Sequence, residues 1–462
     1  MGVFAGTGVR RYLAEGIAAE VSAVTRYFDR VVQLRPLDHD DGTLLDAVDC
    51  PEKRRLEPLE DLPDLTGERE RRTAVLLNGN LNHDFDAQAL LARVRPRLGR
   101  NARVVVVTYS PYWGALVRLA TRLGIRRAPE PTTFLTFTSL AAIARLTDLE
   151  IVRFRYACYA PLPLLGLGSA VNALLPALPG LRRLGLATVV FLRPTGLAPD
   201  PPRSVSLVVP ARNERGNVEA ALRRIPALGV PTEVVFVEGH SDDGTWEEIR
   251  RVEQLPWQGL VVRSFRQPGR GKADAVRLGF EEATGELLVI LDADLTMPPE
   301  LLGRFVDAWG RGLADFLYGD RLTYPMEGDA MRRLNRLGNV FFAKALSFVL
   351  DAPVGDALCG TKVVARHDYA RFVRWRRDFG AEDPFGDFEL LYPAAVLGLG
   401  LLDVPIRYRA RTYGSTNIRR FRDGLRLLRF TFAGLFRLRL AARRLGRRAA
   451  ALTPPSPEPP RS

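Results

Sequence analysis

The chain has 462 residues, 47% of them apolar and 26% charged, with a formal net charge of +13. That length exceeds a single core and calls for two or three domains, and the composition is that of a globular protein rather than a fibrous or disordered one. Three widely spaced cysteines, Cys50, Cys158 and Cys359, exclude a disulfide framework or a zinc cluster and fit a reducing, cytoplasmic setting.

The basic excess is concentrated late in the chain. From Arg407 to Arg448 there are 14 arginines and one acid, Asp423. Such a balance points to a polyanionic partner: nucleic acid, an anionic membrane face or a phosphorylated substrate. The first residues carry no basic-then-apolar leader. The most apolar stretch, Ala160 to Leu181, contains four prolines, so it is not expected to cross a bilayer.

In chain order, residues 1–193 form one unit. Short strands are expected at Val31–Leu34 and Ala74–Leu77, an amphipathic helix over Phe85–Leu98, and a strand over Ala102–Thr108. Helices follow at Tyr112–Leu123 and Ser139–Leu146, then strands at Glu150–Tyr156 and Leu186–Leu192. Alternation of this kind gives an α/β sandwich.

The run Leu76-Leu77-Asn78-Gly79-Asn80-Leu81-Asn82-His83-Asp84, the helix after it, and Arg103 to Ser110 resemble the second half of a class I S-adenosylmethionine-dependent methyltransferase. A cofactor-binding half needs a strand running into a Gly-rich turn, so that backbone can approach the ligand. Only Gly6-Thr7-Gly8 is available for that turn, and Arg35 stands where an acidic residue would end the second strand. The expectation is an incomplete, Rossmann-like, non-catalytic domain. A live methyltransferase is the alternative.

Residues 194–203, with four prolines, read as a linker. The second domain is placed at 204–418, a basic amphipathic helix at 419–449 and a disordered tail at 450–462. Ser204 to Val209 is a buried strand leading into Pro210-Ala211-Arg212-Asn213-Glu214. Glu233 to Val237 leads into Glu238-Gly239-His240-Ser241-Asp242-Asp243-Gly244-Thr245, and Leu260 to Phe265 into Pro268-Gly269-Arg270-Gly271-Lys272. A helix then returns the chain to Leu287–Leu291, five apolar residues ending in Asp292-Ala293-Asp294. Taken alone, that Asp-x-Asp reads as an Asx turn or a helix cap ending the strand. Right-handed crossovers, however, bring all four loops to one sheet edge, which makes a nucleotide cleft. Two hard carboxylates there suit Mg²⁺ or Mn²⁺ on a diphosphate.

Residues 204 to about 415 resemble a family 2 glycosyltransferase of GT-A fold, closest in pattern to the polyprenyl (dolichyl) phosphate mannosyl- and glucosyltransferases. The motifs that carry this are Val-Val-Pro-x-x-Asn-Glu at 208–214, Glu-x-x-Ser-x-Asp-Gly-Thr at 238–245, Gly271-Lys272 and Asp292-Ala293-Asp294. The resemblance implies a metal-dependent inverting transfer of hexose from a nucleoside diphosphate sugar to a polyprenyl phosphate. A polysaccharide, lipid or secondary-metabolite acceptor is the alternative, and no nucleic-acid partner is expected. Pro210, Ala211, Glu214, Glu238 and Asp243 would line the nucleoside pocket, and Lys272 would contact phosphate. Asp292 and Asp294 would hold the metal, with Thr296 in doubt as a third contact. Glu389, slightly ahead of Asp387, would orient the acceptor. Arg321, Arg411 and Ser415 would bind its phosphate. The leucines, phenylalanines and arginines after residue 418 suit either a helix lying in the membrane interface, giving a peripheral position on the cytoplasmic face, or a packed C-terminal helix.

Overall fold

The computed structural model describes residues 7–126, 128–178, 180–325, 333–380, 383, 386–411, 413 and 420–440. The chain divides into two compact units, Met1–Pro194 with Arg374–Gly380 and Phe432–Ser462, and Thr195–Val373 with Ala381–Thr431. Among the described residues, no helix is long and apolar enough to cross a membrane.

The first unit is built on six strands: β1 (Arg30–Leu34), β2 (Glu52–Leu56), β3 (Thr73–Asn78), β4 (Ala102–Tyr109), β5 (Leu149–Ala157) and β6 (Ala187–Pro194), in the order β2-β1-β3-β4-β6-β5. The first four are parallel, β6 runs against β4, and β5 against β6. Helices α1 (Thr7–Thr25) and α2 (Thr43–Ala47) cover one face through Leu13, Ile17, Val21, Leu44 and Leu45. On the other face α4 (Ala87–Val94), which follows the short α3 (Asn80–His83), packs with α6 (Phe137–Leu146) through Leu90, Leu91, Leu140 and Ala144. Helices α5 (Gly114–Arg122) and α7 (Leu167–Leu174) also belong to this unit.

Two details depart from the sequence reading. The helix expected over Phe85–Leu98 keeps α-geometry only to Val94 and tightens to a 3₁₀ turn at Arg95–Arg97, where Pro96 removes a backbone donor. Thr7 and Gly8 open helix α1, and Gly6 lies outside the described residues. The turn after β1 is made instead by Arg35, at φ 48°, and Gly42, at φ 85°.

The second unit has a seven-stranded sheet in the order β13-β11-β12-β10-β7-β8-β9. Its strands are β7 (Val205–Ala211), β8 (Thr232–Glu238), β9 (Leu260–Arg266), β10 (Leu287–Ile290), β11 (Phe316–Asp320), β12 (Lys362–Ala365) and β13 (Leu401–Pro405). Only β12 is reversed, lying antiparallel between β10 and β11. Helices α8 (Arg215–Arg224), α9 (Thr245–Glu253), α10 (Lys272–Glu282) and α11 (Leu302–Gly310) make the crossovers, followed by α12 (Arg333–Leu350), α13 (Arg366–Phe379), α14 (Asp387–Val396) and α15 (Arg420–Leu435). The apolar run before Asp292 is buried on both faces, with Leu287 to Leu291 each 2% exposed or less. The chain steps from β7 outward through β8 and β9, then returns to the other side of β7 as β10. The switch point therefore lies where β7 and β10 end side by side, which is where open α/β sheets bind ligands.

The described part of the basic C-terminal segment is packed on one side. Phe430 of α15 lies 5.2 Å from Tyr392 and 5.8 Å from Phe388 of α14, ring to ring, and Leu427 is buried. Residues 441–462, including the expected tail, lie outside the described residues.

Candidate active site

The sheet edge at the switch point gathers three carboxylates and two cations. The backbone leaves β7 through Asn213, held left-handed at φ 56° because its side chain and amide are used locally. Its N–H donates to Ser241 Oγ at 3.0 Å, and its Oδ1 accepts from the Asp242 N–H at 3.1 Å. That turn directs Glu214 inward, where it is 6% exposed. Burial pushes the Glu214 carboxyl above its usual range, although Arg411 and Asn217 both donate to it, at 2.7 Å each.

Asp292 and Asp294 follow β10 through a turn in which Leu295 is left-handed at φ 54°. Lys272, the first residue of α10, donates its ammonium to Asp292 Oδ1. Burial opposes ionisation of Asp292, but Lys272, with Lys362 and Arg321 behind it, holds the carboxyl below its ordinary value. Burial opposes the charge of Lys272, but the carboxylates of Asp292 and then Asp387 raise its ammonium above the usual lysine value. The chain at Gly360 presses on this pair. A Cβ there would sit 2.0 Å from Asp292 Oδ2 and 2.3 Å from Lys272 Nζ, so the backbone itself forms part of the cradle.

Asp294 accepts on both oxygens. Oδ1 takes the Thr296 N–H at 3.1 Å and its hydroxyl at 2.8 Å, and Oδ2 takes Arg411 Nη2 at 2.6 Å. Arg411 thus bridges Asp294 and Glu214, placing a fixed positive charge between the carboxylates of β7 and β10. The donor set is hard oxygen, which suits Mg²⁺ or Mn²⁺ completed by a diphosphate, and the guanidinium is the cation that stands there in this structure. Among the described residues no group of three acidic, His or Cys side chains is arranged to hold a metal unaided.

Near Asp292, Lys362 of β12 is 1% exposed and donates to Asp387 and to the Cys359 carbonyl, the latter at 2.5 Å. Glu389 is held by a two-pronged bond from Arg277 of α10 and by the Asp383 N–H at 3.1 Å. Asp387 shares cationic neighbours with Asp292, while both Glu389 oxygens accept from Arg277. Arg321 is likewise committed, donating from Nε at 2.6 Å and Nη2 at 2.8 Å to the fully buried Asp356. Pro210 and Ala211 end β7. Glu238 ends β8, 3% exposed, and accepts from the Ser241 N–H. Asp243 accepts from the Thr245 N–H at 3.0 Å and the Arg215 N–H at 3.2 Å, fixing the start of α9, and also from Tyr413 Oη at 3.2 Å. Ser415 lies outside the described residues.

Sequence reasoning did not assign roles to Gly360, Lys362, Asp356 or Arg277. The sequence of the loop Asp356–Lys362 does not reveal which charges it meets.

The family model described as glycosyl transferase family 2 matches residues 206–371. Among curated relatives, the dolichyl-phosphate hexose transferase of Haloferax volcanii is 34% identical over 42% of this chain and 76% of its own length. The dolichol-phosphate mannosyltransferases of Pyrococcus furiosus and Saccharomyces cerevisiae are 37% and 38% identical, over 25% and 22% of this chain and 33% and 40% of theirs.

Proposed function

Because the chain belongs to glycosyltransferase family 2, we propose that this hexosyltransferase moves a hexose from a nucleoside diphosphate sugar to a polyprenyl phosphate, with inversion and with a divalent metal. The observation that carries the reading is the meeting of Asp292, Asp294, Lys272 and Glu214 at the switch point of the sheet. The relatives' named acceptors, dolichyl and dolichol phosphate, support the acceptor class.

The base and ribose lie against Pro210, Ala211 and Glu238, with Glu214 accepting from base N–H groups. Lys272 meets the diphosphate. Asp292 and Asp294 would hold Mg²⁺ or Mn²⁺, which when bound neutralises the charge that develops on the departing diphosphate. An acceptor phosphate oxygen attacks the anomeric carbon as the bond from that carbon to the diphosphate oxygen breaks. A phosphate acceptor is already ionised at neutral pH, so Asp387 needs only to orient it, with Lys362 fixing the carboxylate. Arg411 leaves Asp294 as the donor enters and turns its fork to a phosphate, a role its planar bidentate geometry suits.

The first unit we take as a methyltransferase-like scaffold without catalysis. Asp40, in the turn after β1, already accepts from Gln33 at 2.5 Å and Asn78 at 2.7 Å, and no glycine allows backbone to approach a cofactor there before Gly42. Calorimetry with S-adenosylmethionine should show no heat of binding.

The decisive measurement has two steps. UDP or GDP with Mn²⁺ should raise the melting temperature, and one labelled nucleotide sugar should then pass its sugar to a polyprenyl phosphate from a lipid extract. Failure of both nucleotides to stabilise the protein would sink the reading.

A further inference from the structure

The first unit carries a surface that the transferase reading does not use. After β5 the chain does not return directly to β6 but builds an outlying segment, residues 158–186, which is tied down at several points. Asn172, 5% exposed, accepts the Tyr159 N–H at 2.6 Å and the Ala160 N–H at 3.1 Å, and donates to the Ala160 carbonyl at 3.0 Å and Tyr12 Oη at 2.9 Å. Gly168 lets α7 ride against the chain, since a Cβ there would lie 1.9 Å from the Leu162 carbonyl oxygen. Tyr159 Oη donates to the Arg182 carbonyl at 2.8 Å, and Trp113 Nε1 to the Leu184 carbonyl at 2.8 Å.

What this scaffold presents is aliphatic. Leu164, Leu165, Leu167, Leu174, Leu178 and Leu181 are between 44% and 110% exposed. Leu164 and Leu165 sit at the tip in the left-handed region, φ 43° and 52°, where branched side chains are rare and strained. The π-helical turn Phe436–Leu440 lies against α7 and adds the exposed Phe436. An ordered, strained turn that holds leucines in water is a feature to be explained, because apolar patches of this kind mark interaction surfaces.

Charge indicates what covers it. No Asp or Glu occurs from Ile151 to Pro199, nor from Ala87 to Pro129, the stretch that supplies α5 beside Trp113. The charges on the segment itself are arginines, Arg182 and Arg183, whereas on α5 Arg122 is paired with Glu130 at 3.4 Å. A second copy meeting the same face across a two-fold axis would oppose arginine to arginine. Protein interfaces are anchored by Trp, Tyr and Arg, with leucine under-represented. An anionic bilayer matches on both counts, because its acyl boundary accepts leucine in any orientation and its phosphates meet arginine.

We propose that the described residues of 162–184 in the first unit, with Arg182 and Arg183, form a monotopic docking surface for an anionic lipid bilayer. The inference concerns this unit alone and holds whatever acceptor the second unit uses.

The test is cosedimentation of the full chain with vesicles free of polyprenyl phosphate, made of phosphatidylcholine with or without phosphatidylglycerol. The wild type should bind the anionic vesicles, more weakly as salt rises. Leu164→Glu/Leu165→Glu should weaken binding by at least about tenfold, since each leucine buried is worth roughly a factor of ten. Arg182→Glu/Arg183→Glu should remove the preference for the anionic vesicles. Both variants change exposed or half-exposed side chains, and their melting temperatures and nucleotide-induced stabilisation should match the wild type, which separates this proposal from the transferase reading. A wild type that stays in the supernatant, or a leucine variant that binds as well as the wild type, overturns it. So does a wild-type dimer that binds no vesicles and that the leucine variant splits, which would assign the surface to a second copy.

Discussion

Gly360→Ala probes the site through backbone rather than through a charged group. The glycine's φ does not lie in the left-handed range, so alanine imposes no backbone strain. Its Cβ would instead meet Asp292 Oδ2 at 2.0 Å and Lys272 Nζ at 2.3 Å, both at the ends of side chains. To reach ordinary contact the carboxylate must retreat by roughly 1.4 Å, and a displacement of about 1 Å at a reacting centre costs about 10²-fold in rate. That is about 2.7 kcal/mol of barrier. Because side-chain ends yield and the backbone does not, the fold should lose no more than about 1–2 kcal/mol. The assay pairs Mn²⁺-dependent stabilisation by UDP or GDP with turnover of the labelled donor. The expected outcome is a near-wild-type melting temperature, a diminished nucleotide shift and a kcat reduced about a hundredfold. Wild-type turnover would refute the reasoning, and so would an unfolded variant, since the yielding atoms would then not be the two side-chain ends.

Asp294→Asn should abolish metal-dependent nucleotide stabilisation while leaving the melting temperature of the free protein close to wild type; an unchanged nucleotide shift would exclude Asp294 from the metal set. Asp387→Asn should lower transfer to acceptor by about 10²-fold with donor-induced stabilisation retained, whereas Glu389→Gln should act chiefly on stability, about 1–3 kcal/mol, by breaking the Arg277 pair. The opposite pattern would restore Glu389 as the acceptor-side acid. At the other end of the sheet, burial of Glu233 opposes its ionisation, but Ser206, Thr284 and Arg263 together hold its carboxyl below the usual range. A depressed carboxyl contributes stability above its unfolded pKa of about 4.3 and loses it as pH falls through the lower folded value. Urea midpoints should therefore drop in acid for the wild type, and Glu233→Gln should be about 2 kcal/mol less stable at neutral pH with a flatter acid limb. Burial pushes the Cys50 thiol up to about 11 and the Cys359 thiol up to about 12, so neither should react with a thiol reagent at mildly alkaline pH until the protein is unfolded.

Much of this protein was legible along the chain because it is encoded locally. Leu287–Leu291 announces a strand buried on both faces, and the glycine- and acid-rich loops after Val209, Val237 and Phe265 recur at crossover spacing, so the switch-point cleft follows from order alone. The polar edge strand β2, Glu-Lys-Arg-Arg-Leu, was not legible, because it pairs with β1 without burying an alternating face. Helix α1 could have been read from Leu13, Ile17, Val21 and Val24, whose spacing marks one buried helical face.

Charge pairing lies beyond the reach of sequence. Asp387 and Glu389 stand two residues apart at the start of one helix and so point to different sides. Their partners, Lys362 and Arg277, lie 25 and 112 residues away. Which acid shares its cations with Asp292 was decided by β12 entering antiparallel between β10 and β11, bringing Lys362 and Gly360 beside the end of β10. Strand and loop order along the chain brings carboxylates, a lysine and arginines to one sheet edge. Which of them neutralise one another follows from the packed fold, because an ion pair depends on distances across the sheet that no local pattern records.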